Sequence, residues 1–291
     1  MMIPVRTRSR AWQPLTPRGV AAFAGAPLAR LLLVQLVVAV LAAAAVVWFL
    51  DAAWFPTVRA AIRQLPARGE IRAGRLDWAG DSPRTLAEGK FLAITVDLDH
   101  SGKARSPAHV QVEFGRNNVR ILSLLGYAER SYPRDWLIAF NRPELQPWWG
   151  AWEPPILSMI AGAAVAGLME VWALLATAYC PGAWLAGFLA NRELAPGSSW
   201  KLAAVALMPG ALLMSAAILF YGLGVLDLVG LMAAAGAHVL AGWIYLVVSP
   251  FFLPTLSLPN AGRGNPFVVG ADGRTQGDEK KGDDDRPASG G

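Results

Sequence analysis

The apolar positions of the chain fall into four long runs. Residues 31–50 read LLLVQLVVAVLAAAAVVWFL, with Gln35 the one strongly polar side chain. At helical rise such a run is about 30 Å long, the hydrocarbon thickness of a bilayer. Residues 156–180 form a second run, interrupted by Glu170. Residues 202–222 form a third, and residues 228–248, which hold His238, a fourth. Lipid offers no partner to backbone N–H and C=O groups, so each run predicts a transmembrane helix. Pro209-Gly210 in the third predicts a kink, because proline removes a ladder donor. The first run is longer than a signal-peptide core and ends on Asp51-Ala52-Ala53, a poor cleavage site. It reads as an uncleaved signal anchor.

Between the first two runs the pattern changes to that of a water-soluble, β-rich domain over residues 51–155. Residues 57–64 read as a short helix. Glu70-Ile71-Arg72 and Arg75-Leu76-Asp77-Trp78 alternate polar and apolar positions and are joined through Ala73-Gly74, a hairpin pattern. Residues 91–98, FLAITVDL, are rich in β-formers, and residues 109–114, HVQVEF, alternate cleanly. Gly115-Arg116-Asn117-Asn118 supplies turn residues, and residues 119–125 make the partner strand. Residues 133–140 read as a short helix before the tryptophan-rich return to the bilayer. The predicted fold is therefore an α-helical integral membrane protein with four transmembrane helices, and a small α+β domain inserted between helices 1 and 2.

Composition sharpens this picture. The 291 residues are 54% hydrophobic and only 16% charged, against about 25% charged in soluble domains; mean hydropathy is +0.37. The net charge of +5 comes from scattered arginines in an apolar chain, which argues against a nucleic-acid partner. Cys180 is the single cysteine, so no intrachain disulfide frames the fold. Residues 1–30 carry Arg6, Arg8, Arg10, Arg18 and Arg30 and no acid, which marks them as a cytoplasmic N-terminal segment. Four spans then place residues 51–155 outside, residues 181–201 in a cytoplasmic loop, residues 223–227 in an outer turn, and the C-terminus inside. Residues 262–291, rich in Gly and Asp with no apolar period, read as a disordered cytoplasmic tail. Trp48 and Trp54 flank the outer end of the first span, and Trp148, Trp149 and Trp152 precede the second. Indoles favour the headgroup layer, so these five read as interfacial anchors. Packing within the outer domain is the alternative reading of the same residues.

The order of one helix, an outer domain and then a helical block resembles an uncharacterised bacterial membrane family. That family is described as a domain of unknown function and grouped loosely with Yip-type membrane proteins; some members are named for maltodextrin utilization. The resemblance is carried by Leu65-Pro66, by Glu70-Ile71-Arg72-Ala73-Gly74-Arg75-Leu76, and by Ile94-Thr95-Val96-Asp97 closing on Gly102. It continues through residues 110–114 and from Trp200-Lys201-Leu202-Ala203 to Leu207-Met208-Pro209, and spans residues 50–255. It implies an integral membrane protein of the bacterial envelope with no assigned reaction.

Candidate chemistry is sparse. Asp97-x-Asp99-x-Ser101-Gly102 has the first half of a calcium loop, but Ala108 stands where a bidentate Glu belongs. A strand ending in an Asp/Gly turn explains the same residues. Glu170 and His238 are ionisable positions deep in the spans. Simple threading puts Glu170 about two residues inward of mid-span and His238 about one outward, an offset of roughly 4–5 Å. The pair fits either a proton or solute relay, or a neutral Glu hydrogen-bonded to His238 or a carbonyl that joins two helices. Ala163-xxx-Gly167 and Ala233-xxx-Ala237-xxx-Ala241 are small-residue stripes suited to internal packing or to a homo-oligomer seam. No phosphate loop, HExxH, CxxC or nucleophile elbow is present in the sequence. The expectation is a non-enzymatic accessory or scaffold protein of the envelope, without a cofactor, meeting the lipid bilayer and presenting residues 51–155 to an envelope protein or glycan. A small transport component using Glu170 and His238 is the alternative.

Overall fold

The computed structural model describes residues 12–124 and 126–255. The tail expected over 262–291, Leu125 and the arginines at positions 6, 8 and 10 lie outside the described residues. The protein is mixed helix and sheet. Four helical stretches are long and apolar enough to cross a membrane: Leu28–Arg63, Arg142–Leu189, Pro196–Gly222 and Leu228–Phe252.

The first helix, α1 (Pro17–Ala22), starts at Thr16, whose hydroxyl accepts the Gly19 N–H as an N-cap. A 3-10 turn, Phe23–Gly25, leads into α2 (Leu28–Phe49). Pro56 has no N–H to give to Ala52, and the helix widens into a π turn at Leu50–Trp54 before continuing as α3 (Phe55–Arg63). The first span therefore leaves its apolar run without a break.

After the β domain, α4 (Arg142–Leu189) is a single 48-residue helix, capped by Asn141. The helix extends past the expected second span of 156–180 at both ends. Residues 142–155 are helical while Leu145 and Trp149 pack on the core of the β domain, and the non-helical chain between α4 and the next helix is residues 190–195 rather than the expected loop of 181–201. Pro147, Pro154, Pro155 and Pro181 lie inside the helix. Each removes one ladder bond; Ser158 also donates its hydroxyl to the carbonyl of Pro154 at 3.0 Å. The third stretch divides into α5 (Pro196–Ala206) and α6 (Met208–Gly222) at Leu207, two residues before Pro209, where the sequence predicted a kink. The last helix is α7 (Leu228–Val248), N-capped by Asp227 through the Gly230 N–H.

Small side chains decide the packing of the bundle. Leu202 to Ala206 on α5 are at most 1% exposed, enclosed by α2, α4 and the Phe23–Gly25 turn. Phe23 and Leu31 are fully buried in the same core. The N-terminal segment expected to be simple cytoplasmic chain is thus folded onto the bundle: Lys201 Nζ donates to the Ala26 carbonyl at 2.8 Å, and Tyr245 donates to the Leu15 carbonyl. Of the small-residue stripes, read from the sequence as suited to internal packing or to a homo-oligomer seam, Ala163, Ala233 and Ala237 are exposed and Gly167 and Ala241 half-buried. The close crossing is made elsewhere, where Gly210 on α6 lies against the His238 carbonyl of α7.

The β domain has two sheets. The first has order β2-β1-β8, from β1 (Gly69–Arg72), β2 (Arg75–Trp78) and β8 (Ile138–Ala139), all antiparallel. Ala73 and Gly74 both take positive φ (50° and 77°), the two-residue turn that matches strand twist. The second has order β3-β4-β5-β6-β7, from β3 (Arg84–Glu88), β4 (Leu92–Val96), β5 (Val110–Phe114), β6 (Asn118–Ser123) and β7 (Gly126–Ser131). Only the β4–β5 pair is parallel, through the crossover of residues 97–109. Val96, Ile94, Phe114 and Val119 face α3, Trp78 and Phe140 across the core. The helix expected over residues 133–140 is absent: Ile138 pairs with Ile71 instead, and the chain turns helical only after Asn141.

Candidate functional site

Glu170 and His238 are not brought together. Glu170 lies on the exposed face of α4, without a hydrogen bond or ion pair to any described residue. His238, midway along α7, is half-buried, and its Nδ1 donates to the Ala235 carbonyl at 2.5 Å. A carboxyl group with no partner among the described residues adds nothing to the packing described, and at the centre of a span it costs about 2.5–3.5 kcal/mol on insertion scales. Glu170→Leu is therefore expected to leave the thermal stability of the purified protein at or above wild type. A drop in stability would show that Glu170 holds a partner.

His238 borders a cavity of about 250 Å³ enclosed by α2, α4, α6 and α7. Ala42, Leu175 and Met214 give it apolar walls; Tyr179, Ser215 and His238 are its polar members. The Ser215 hydroxyl is engaged with the Ala211 carbonyl at 2.8 Å. Glu170 does not line this cavity.

Above the bundle, an aromatic cluster joins the β domain to the helices. His109 enters β5, and its Nδ1 is hydrogen-bonded to the Tyr221 hydroxyl at the end of α6, with the two rings stacked. Phe91 meets Tyr221 at 4.9 Å and Phe49 at 5.3 Å, edge to face in both pairs. Phe91 and Tyr221 are 8% and 6% exposed, so this junction is as dry as a core. Gly222 leaves room for it, because a Cβ there would meet the Trp48 ring at 2.7 Å. A salt bridge of 3.2 Å joins Arg59 of α3 to Glu153 of α4. None of these pairings was read from the sequence. His109 and Tyr221 are 112 positions apart, and no periodicity connects them.

The five tryptophans expected as interfacial anchors differ in exposure. Trp48, Trp148 and Trp152 are exposed, and Trp148 stacks on Trp152. Trp54 is half-buried. Trp149 instead packs on the domain core and edge-on to Phe55 at 5.0 Å, with its Nε1 buried and lacking a protein partner.

The Asp97–Gly102 segment is a turn. Asp97 Oδ2 accepts from the Ser101 hydroxyl at 2.9 Å and the Gly102 N–H at 3.0 Å, while Asp99 pairs with Arg116. Burial alone would push the Asp97 carboxyl up; these donors outweigh it and hold it below the usual carboxylate range. The turn positions His100 at φ 51°. Its Nδ1 reaches Glu113 Oε1 and its Nε2 reaches Asn118 Oδ1, both at 2.5 Å. Asn118 in turn donates to Glu129, which Arg120 also contacts. Gly115 is required beneath the imidazole, because a Cβ there would overlap the ring. This polar network fastens the 97–109 crossover across the far face of the sheet, over Thr95, Gln111 and Glu113.

Searches against protein-family models, curated proteins and solved structures found no match.

Proposed function

We propose that the chain is a non-enzymatic integral membrane protein of the bacterial envelope, an accessory or scaffold that presents its β domain outside the membrane. Both termini lie in the cytoplasm on this reading, and residues 51–155 outside, as the arginines before the first span require. The observation that carries it is the dry joint of Phe49, Phe91, His109 and Tyr221, together with an unbroken α4. A domain held this way has a fixed pose on the membrane surface, which a merely tethered domain lacks. The domain also exposes large apolar side chains that a partner could cover: Ile121, Leu124, Tyr127, Trp136 and Leu137 are 46–69% exposed. A transport component would need Glu170 and His238 on one path, and Glu170 lies outside the cavity that His238 borders.

A photo-crosslinking residue at Tyr127 or Trp136 in growing cells tests the proposal. The scaffold reading expects a discrete adduct from these positions and none from Asp81, on an exposed turn of the same domain. Adducts at neither position, combined with proton flux through the protein in liposomes, would replace it with transport.

A further inference from the structure

We infer that the cavity between α2, α4, α6 and α7 is a binding site for a neutral lipid bearing a hydroxyl group, with the hydroxyl donating to His238 Nε2. The inference does not depend on the scaffold reading.

His238 gives the ligand its polarity. Its Nδ1–H is committed to the Ala235 carbonyl. In the neutral ring Nε2 is then an acceptor. His238 lines the cavity, and its Nε2 is the ring nitrogen not engaged by its own helix. No described residue donates to Nε2. An acceptor in an apolar wall selects a donor, and a cation is a poor candidate at this depth because its desolvation is costly. A hydroxyl meets the requirement at lower cost.

The walls give the ligand its body. Apart from His238, Ser215 and Tyr179 the lining is apolar, and such cavities stay dry and accept apolar groups. At about 250 Å³ the space is smaller than the ~300–1,000 Å³ of drug-sized pockets. It therefore suits one chain or one ring rather than a bulky solute. The most apolar windows of α4 and α7 are each only 11% buried within the protein, so these helices would face lipid, and the bilayer would be the source of the ligand.

The test uses the full chain in phosphatidylcholine nanodiscs and two photoreactive probes, a diazirine-bearing long-chain alcohol and the matching alkane without the hydroxyl. Wild type should be labelled on the cavity walls, with the alcohol favoured severalfold and at most about tenfold, the range of one net hydrogen bond. His238→Leu should erase that preference while leaving alkane labelling intact. Ala211→Phe, which fills the space from α6, should remove labelling by both probes. Equal labelling of wild type by the two probes would overturn the hydroxyl assignment. Labelling that persists at the same residues in Ala211→Phe would overturn the site.

Discussion

Gly210→Val should lower the thermal unfolding temperature of the purified protein well below that of wild type. The reason is the identity of the obstacle. A Cβ at position 210 would overlap the His238 carbonyl oxygen, a backbone atom of α7, which cannot rotate aside as a side chain does. Overpacking a filled core costs about 1–3 kcal/mol, and a fixed obstacle puts this site at the upper end. Gly210→Ala should already show part of the loss. Gly236→Val is the control, because nothing lies within 4 Å of the position a Cβ would take there. If Gly210→Val and Gly236→Val melt together, α6 and α7 do not cross as closely as described.

The second large effect lies at the joint. Tyr221→Ala removes a ring that packs on His109, Phe91 and Phe49, and truncation of a buried aromatic costs about 3–5 kcal/mol. Tyr221→Phe removes only the hydroxyl that meets His109 Nδ1, a loss of about 1–3 kcal/mol if the imidazole is left without a partner. The readout that separates a joint from ordinary core is limited proteolysis. Tyr221→Ala should open both flanks of the β domain, residues 64–68 and 140–141, to cleavage and release it as an intact fragment, with Tyr221→Phe intermediate. Uniform degradation of both variants would mean that the cluster stabilises the whole chain rather than the attachment.

How much of this was legible beforehand follows from which forces act locally. Four apolar stretches were readable because lipid imposes its length on any helix that crosses it. The Ala73-Gly74 hairpin was readable because its turn requires positive φ at two positions. The full extent of α4 was not, because Pro147, Pro154, Pro155 and Pro181 carry the signal of a helix end, and only the surrounding structure offsets the ladder bonds they remove. Strand β3, RTLAE, is built of helix-formers and buries only Leu86; β7 is exposed throughout. Both owe their conformation to pairing with a neighbour. Depth along a span can be counted in residues, whereas rotation about the helix axis is fixed by packing. That is why Glu170 and His238 could be set at similar depth and yet face different surroundings. The site residues that mattered most, His109 with Tyr221 and Gly210 with His238, become neighbours only in the folded chain.

The central claim is that the β domain stands outside the membrane while both termini remain in the cytoplasm. Compartment-sensitive reporters fused at Gly102 and after Gly270 test it most directly. The account predicts opposite compartments, with Gly102 outside and Gly270 inside. The same compartment for both would contradict the four-span arrangement and the scaffold reading with it.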